Sequence, residues 1–226
     1  MKLTINNLII ETTRRCNMQC EHCLRGDAEN CDMPVKYIDK LLEQVGEIYN
    51  VTFSGGEPSL ATNIIEYFLN KCKENNTCIG SFYIATNGLD ISERFAIACL
   101  KLYAYSDNKE MCLVQVSNDI YHANENKYNT ELLDGLAFFN RKFKKESSDD
   151  FNVLSEGRGK YINNNNPLYI DKIKTIEDFE DAYIYLNCKG NIINGCDWSY
   201  DSQDEAENIL CNVADLSEKI STLKES

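Results

Sequence analysis

From Leu3 to Phe143 a short apolar run is followed four times by apolar residues at helical spacing, and this alternation restricts the fold more than any other feature. Leu3 to Glu11 reads as a strand whose Leu8-Ile9-Ile10 centre suits burial on both faces. Behind Pro34, which fits a first helical turn, Val35, Ile38, Leu41, Leu42, Val45 and Ile48 form a helical stripe. Val51-Thr52-Phe53 is the second strand, and Leu60, Ile64, Ile65, Phe68, Leu69 and Cys72 mark the helix after it. Ile79 to Ala85 and Cys112 to Val116 are the third and fourth strands. Phe95, Ala98, Cys99 and Leu102 mark the third helix, and Leu132, Leu133, Leu136, Phe139 and Phe143 the fourth. Such alternation predicts an α/β fold with a helix-covered parallel sheet, wound in the right-handed sense.

Beyond Phe143 the pattern weakens. Phe151-Asn152-Val153-Leu154 reads as a fifth strand leading into the turn Ser155-Glu156-Gly157-Arg158-Gly159, and Asn163 to Asn166 as a loop before Pro167. The tail then carries a hairpin signal: Ala182 to Leu186, a turn at Lys189-Gly190-Asn191, and Ile192-Ile193. Cys188 and Cys196 flank that hairpin, and Cys211 follows it. The expected division is a core over 1–160 and a barrel edge with a hairpin tail over 161–226.

Chemistry concentrates after the first strand, in Cys16-Asn17-Met18-Gln19-Cys20-Glu21-His22-Cys23. Thiolates at this spacing can wrap one face of a small inorganic cluster. A four-iron cluster ordinarily takes four cysteines, so three leave one iron open. Zinc is the plainer alternative, but it commonly uses paired CxxC units, and only Cys20 and Cys23 form one.

The Cx3Cx2C spacing resembles the hallmark of the radical S-adenosylmethionine (SAM) superfamily. Ser54-Gly55-Gly56-Glu57-Pro58, after the second strand, is similar to the GGE segment with which that family holds the amino group of SAM. Thr86-Asn87-Gly88 and Ser117-Asn118-Asp119 end the third and fourth strands, where the family also places polar groups. The tail resembles the start of the cysteine-rich SPASM and twitch extensions that bind auxiliary clusters in many relatives, although the sequence stops at Ser226, short of a full SPASM module.

The resemblance implies a partial (β/α)6 TIM-type barrel with a short C-terminal β-hairpin extension. It implies a [4Fe–4S] cluster on Cys16, Cys20 and Cys23, with SAM bound by Gly55, Gly56, Glu57, Asn87, Ser117 and Asp119; Arg158 suits the SAM carboxylate or a substrate carboxylate. Each has a bland reading beside it: turn or cap residues for Asn87 and Ser117, a helix start for the Gly-Gly-Glu segment, a Gly-rich turn for Arg158, and a surface residue for His122. Cys188, Cys196 and Cys211 could hold a second iron–sulfur cluster or be structural. The implied chemistry is reductive cleavage of SAM to a 5′-deoxyadenosyl radical, which takes hydrogen from a peptide side chain or a small-molecule substrate. Flavodoxin or ferredoxin would supply the electron. An activating enzyme for a glycyl radical protein and a non-catalytic iron–sulfur sensor are the alternatives.

Composition narrows the partners. A formal net charge of −13 disfavours binding to phosphate backbones. The densest basic run, Arg141-Lys142-Phe143-Lys144-Lys145, suits a solvated helix end. No run approaches the roughly 18 apolar residues of a membrane span, and Met1 to Asn7 lacks the features of a signal peptide. Eleven cysteines could form disulfides in a secreted protein, but metal-ligating thiols in a reducing cytoplasm fit their placement better.

Overall fold

The computed structural model describes residues 2–117, 119–122, 129–141, 153–163 and 165–225. The chain runs β1 (Leu3–Thr13), α1 (Val35–Gln44), β2 (Val45–Gly55), α2 (Thr62–Asn75), β3 (Cys78–Thr86), α3 (Glu93–Tyr105), β4 (Leu113–Val116) and β5 (Phe139–Arg141). The second half adds α4 (Ile176–Asp181), β6 (Tyr183–Leu186), β7 (Asn191–Ile193), α5 (Tyr200–Gln203), β8 (Ile209–Asn212) and α6 (Leu216–Glu225). All eight strands form one open sheet in the order β5-β4-β3-β2-β1-β6-β7-β8. Strands β1 to β6 pair in parallel, and β7 and β8 antiparallel.

Apolar periodicity accounts for the helices. Ile38, Leu41 and Leu42 of α1, and Ile64, Ile65, Phe68, Leu69 and Cys72 of α2, are buried against the sheet core that contains Leu8, Ile10, Val51 and Phe53. The Ser92 side chain accepts the Phe95 N–H and starts α3, while Asn76 ends α2 in the left-handed conformation at φ 52°. Because β1 to β4 run in parallel, their carboxyl ends lie on one side of the sheet, where barrel folds place their chemistry. Among the described residues, no helix is long and apolar enough to cross a membrane.

Three expectations need correction. The first helical stripe stops at Gln44 rather than running through Ile48. Val45 and Ile48 instead open β2, opposite Leu3 and Ile5 of β1. Gly46 weakens helix by about 1 kcal/mol relative to alanine, and a strand here pairs on both edges, with β1 and β3.

The helix expected over Leu132–Phe139 is a turn followed by β5; Phe143 lies outside the described residues. Gly135 at φ 83° breaks any helix there. Phe139–Arg141 pairs with Val114–Val116, and Phe138 packs on Phe82 and Tyr103.

The fifth strand is thus β5 and not Phe151–Leu154. Of that segment 151–152 lie outside the described residues, and Leu154 makes an isolated bridge to Asn166. Lys142 to Lys145 of the basic run, Asn118, and Asn164 in the polar loop also lie outside them.

The tail hairpin forms where its sequence placed it, and it extends the main sheet. Strand β6 runs parallel to β1, from Asn7 opposite Tyr183 to Ile10 opposite Leu186. Gly190 turns the hairpin at φ 82°, and a Cβ there would lie 2.3 Å from the Tyr37 ring.

Candidate active site

The loop after β1 is held by backbone pairing before any side chain contributes. Arg14 N–H donates to Cys31 O at 2.8 Å, Glu29 N–H to Arg14 O at 3.1 Å and Met33 N–H to Thr12 O at 3.0 Å. These bonds close the segment containing Cys16, Cys20 and Cys23 into a compact Ω-like loop over the sheet end. The three free thiols are half-buried and line one cavity of about 410 Å³. Burial, helped by the nearby Glu57, Cys20 and Cys23 and opposed by the hydrogen bond from Met18 N–H, pushes the Cys16 thiol up to about 11. Ligation of a metal there must therefore displace a proton.

The end of β2 packs onto this loop at backbone distance. Gly56 N–H donates to Thr13 O at 2.7 Å and Glu57 N–H to Arg15 O at 2.9 Å. A Cβ on Gly55 would sit 2.1 Å from Thr13 O, and one on Gly56 2.2 Å from Arg15 O. The glycines are thus required by chain packing as well as by any ligand at the cavity they line.

Glu57 is buried and fixes the next strand end. Its Oε1 accepts from Thr86 Oγ1 at 2.6 Å and from Ser59 N–H at 3.0 Å, and Oε2 accepts from Asn87 N–H at 2.7 Å. Burial raises its carboxyl above the ordinary range, against the pull of those hydrogen bonds. A carboxylate has about four acceptor sites, so one remains on Glu57, which also lines the cavity. Asn87 extends the network, donating through Nδ2 to Asn17 Oδ1 at 2.7 Å.

Ser117 lines the cavity, while Asp119 stands behind it. Asp119 Oδ1 accepts the N–H groups of Tyr121 and His122 at 3.0 and 3.2 Å, and Oδ2 lies 2.8 Å from His122 Nδ1. His122, for which the sequence left a surface position open, lines the cavity with His22. Burial opposes charge on His122, but its bond to Asp119 and a contact with Cys20 outweigh that and lift it to about 9. Burial and the neighbouring His122 hold His22 down to about 4. The His22 ring stacks on Tyr121 at 4.6 Å and meets His122 edge-on at 5.1 Å.

Arg158 lies outside the main cavity and braces the cysteine loop. Its N–H donates to Cys23 O at 2.9 Å, Nε to Cys20 O at 3.0 Å and Nη1 to Asp27 at 3.0 Å. A Cβ on Gly157 would meet Leu24 O at 2.2 Å, so this glycine-rich turn is pressed against the loop. Arg25, which sequence reading passed over, lines the main cavity. Its one sequence signal is its position two residues after Cys23.

Cys188, Cys196 and Cys211 lie in three different surroundings. Cys188 is buried, its Sγ donating to Glu11 O at 3.2 Å. The carbonyl of Cys196 accepts from Arg25 at 2.8 Å, and Cys211 lies on β8 opposite Ile192. Among the described residues, the one group of three or more His, Cys, Asp or Glu side chains with ligand atoms within 4.8 Å of one another is His22, Asp119 and His122. A Zn–S bond of about 2.3 Å puts tetrahedral thiolates roughly 3.8 Å apart. Cys16, Cys20 and Cys23 do not all bring their sulfur atoms within 4.8 Å of one another.

The sequence model of the Radical SAM superfamily matches residues 10–134, more than half of the chain. An uncharacterized protein of Methanocaldococcus jannaschii is 36% identical over 97 residues, which are 41% of this chain and 34% of that protein. Protein YfkA of Bacillus subtilis is 28% identical over 71 residues, 30% of this chain and 19% of its own. The matches thus span about a third or less of these curated relatives. Among solved structures, native anSMEcpe with bound AdoMet and Cp18Cys peptide superimposes with a TM-score of 0.58 at 16% identity, covering 100% of this chain and 83% of that one. That likeness is one of fold, a partial barrel of the TIM type.

Proposed function

The chain belongs to the radical SAM superfamily, and from that premise we propose an enzyme that cleaves SAM reductively and abstracts hydrogen from a peptide side chain or a small molecule. The observation that carries this reading is one cavity lined by Cys16, Cys20 and Cys23 together with Gly55, Gly56 and Glu57. Cys16, Cys20 and Cys23 would hold the [4Fe–4S] cluster, one ligand fewer than such a cluster ordinarily takes. When bound, the cluster supplies the electron that breaks a sulfonium carbon–sulfur bond and releases a 5′-deoxyadenosyl radical.

The chain's own residues bind and orient. Glu57 offers its remaining acceptor site to the SAM ammonium, and its bonds to Thr86 and Asn87 keep that carboxylate in one rotamer. Gly55 and Gly56 bring backbone to the cavity wall without side chains. Ser117 lies on the same wall, with Asp119 holding His122 beside it. Residues 1–160 form the cofactor-binding core and 161–226 the barrel edge and hairpin tail, of which residues 196–200 reach Arg25 of the cysteine loop. The separate surroundings of Cys188, Cys196 and Cys211 favour their structural role over a second cluster.

Peptide is the favoured substrate class, since anSMEcpe, similar in fold, carries a peptide. The net charge of −13 argues against nucleic acid. Eleven free thiols suit a reducing cytoplasm, where flavodoxin or ferredoxin supplies the electron. The test is anaerobic reconstitution with iron and sulfide, followed by chromatography of SAM incubated with a strong reductant. Formation of 5′-deoxyadenosine by the parent, and its loss in Cys20→Ala, is the expected result. Iron loading without any SAM cleavage would point to the sensor instead.

A further inference from the structure

Cys16, Cys20 and Cys23 line a small recess together with Arg14, Arg25 and Arg158. The three guanidinium charges are not equally free. Arg14 is fully buried and paired with Glu11 at 2.8 Å and Glu29 at 3.1 Å. Arg158 is paired with Asp27 at 3.0 Å. Among the described residues, Arg25 has no carboxylate oxygen within the 4.0 Å of an ion pair. Its Nη1 and Nη2 donate to the carbonyl oxygens of Trp198 and Cys196, and its guanidinium lies over the Tyr185 ring, 4.7 Å from the centroid. Carbonyls and a ring face satisfy the donors without cancelling the charge. Glu11 and Asp197 act on Arg25 only from beyond ion-pair distance, so no carboxylate among the described residues is paired with it directly and the cation can still interact with an anion in the recess.

A four-iron core held by three thiolates is a net anion and gains one more negative charge on reduction. Hydrogen bonding and net charge around such a cluster set its reduction potential. We propose that Arg25 is the standing counter-charge of the cluster, raising its reduction potential, and that residues 196–200 hold it in that place. This rests on the assignment of the cluster to Cys16, Cys20 and Cys23. The tail grips Arg25 at both ends: its side chain reaches Cys196 and Trp198, and its own carbonyl accepts Tyr200 N–H at 3.0 Å. Arg25 is a positioning residue, acting on the electron's destination through charge. The tail thereby takes part in the electron transfer although it contributes no ligand.

The test is a potentiometric titration of the reconstituted protein without SAM, followed by electron paramagnetic resonance, which reads only loaded clusters. Arg25→Gln should move the midpoint to more negative potential, while Arg25→Lys, which keeps the charge, stays near the parent. Arg158→Gln should move it less, because the Asp27 partner already offsets that charge. A Gln variant at the parent potential, or a Lys variant displaced as far as Gln, overturns the proposal. If Arg25→Gln does not fold, Asp197→Asn takes its place. Asp197 is among the acidic groups acting on Arg25, so neutralising it should raise the potential, and an unchanged or lower value overturns the idea. A parent that takes up no four-iron cluster fails earlier, at the cysteine assignment.

Discussion

Asn87 Nδ2 donates to Asn17 Oδ1 at 2.7 Å, joining the end of the third strand to the cysteine loop. The backbone of the same residue donates to Glu57, so three strand ends meet through one asparagine. A fault at any of the three should be felt at the thiols. Asn87→Ala is therefore expected to lower iron retention on gel filtration, with secondary structure by circular dichroism unchanged.

Single alanine substitutions of Cys16, Cys20 and Cys23 should each abolish four-iron loading. The thiols are half-buried at a loop rather than in the core, so the melting temperature of the metal-free protein should shift little. Iron and sulfide analysis beside a thermal melt checks both halves. Stoichiometric zinc with no iron in the parent would falsify the cluster assignment.

Glu57→Ala removes the acceptor for Thr86 Oγ1, Ser59 N–H and Asn87 N–H. Leaving buried donors unsatisfied costs about 1–3 kcal/mol each, and partial repacking should hold the total near 3 kcal/mol in denaturant unfolding. Glu57→Gln, which keeps one carbonyl acceptor, should lose less than half of that. SAM affinity should fall roughly tenfold or more in both, by the same hydrogen-bond energies to a charge. Equal affinity with parent in a binding titration would remove Glu57 from the ammonium site.

Gly56→Ala should be among the most damaging small substitutions, since its Cβ would lie 2.2 Å from Arg15 O. Relief requires the cysteine loop to move off β2. The expected readout is lost cluster loading together with destabilisation of about 2–4 kcal/mol. A Gly135→Ala control has no atom within 4 Å of the added methyl. It pays only for its positive φ, so it should keep the cluster.

Acid should loosen the tail. Burial works to raise the Glu156 carboxyl, but hydrogen bonds from Ser199 and Ser202 outweigh it and hold the carboxyl below its ordinary 4.5. A depressed carboxyl contributes stability that is present above the unfolded value and lost as pH falls through the folded one. Hydrogen exchange over 196–203 should therefore quicken below pH 4.5 beyond the intrinsic trend. Glu156→Gln should show the faster exchange at neutral pH and little further acid effect.

Triple alanine substitution of Cys188, Cys196 and Cys211 should leave iron content equal to the parent, because the three lie apart in the fold. About four fewer irons in the variant would restore the second cluster.

The elements readable from sequence were those with a strong local pattern. Strand β3 and the stripes of α2 and α3 lie within a few residues of their expected bounds. The α1–β2 border was hidden because Val45 and Ile48 continue the helical spacing of α1, while the irregular pairing between Leu3 and Thr4 of β1 interrupts the two-residue period of the strand there. The three residues of β5 are too few to show a period at all, and only their pairing with β4 makes them a strand. At the site, spacing exposed the cysteines and the glycines. It could not expose Arg25 or His122, whose places depend on partners far along the chain, Trp198 and Cys20 among them.

Strand β1 has Val51 beside Leu8 on one edge and Ile184 beside the same residue on the other. During synthesis the first edge is covered early, and the second stays bare until the distant partner leaves the ribosome. Pairings this remote form slowly, because a long loop must close before they gain anything, and a bare apolar edge invites pairing with other chains. The same late segment brings the braces that reach Arg25 and Glu156. The loop that carries the three cysteines therefore gains these braces only after residues 196–202 have been made.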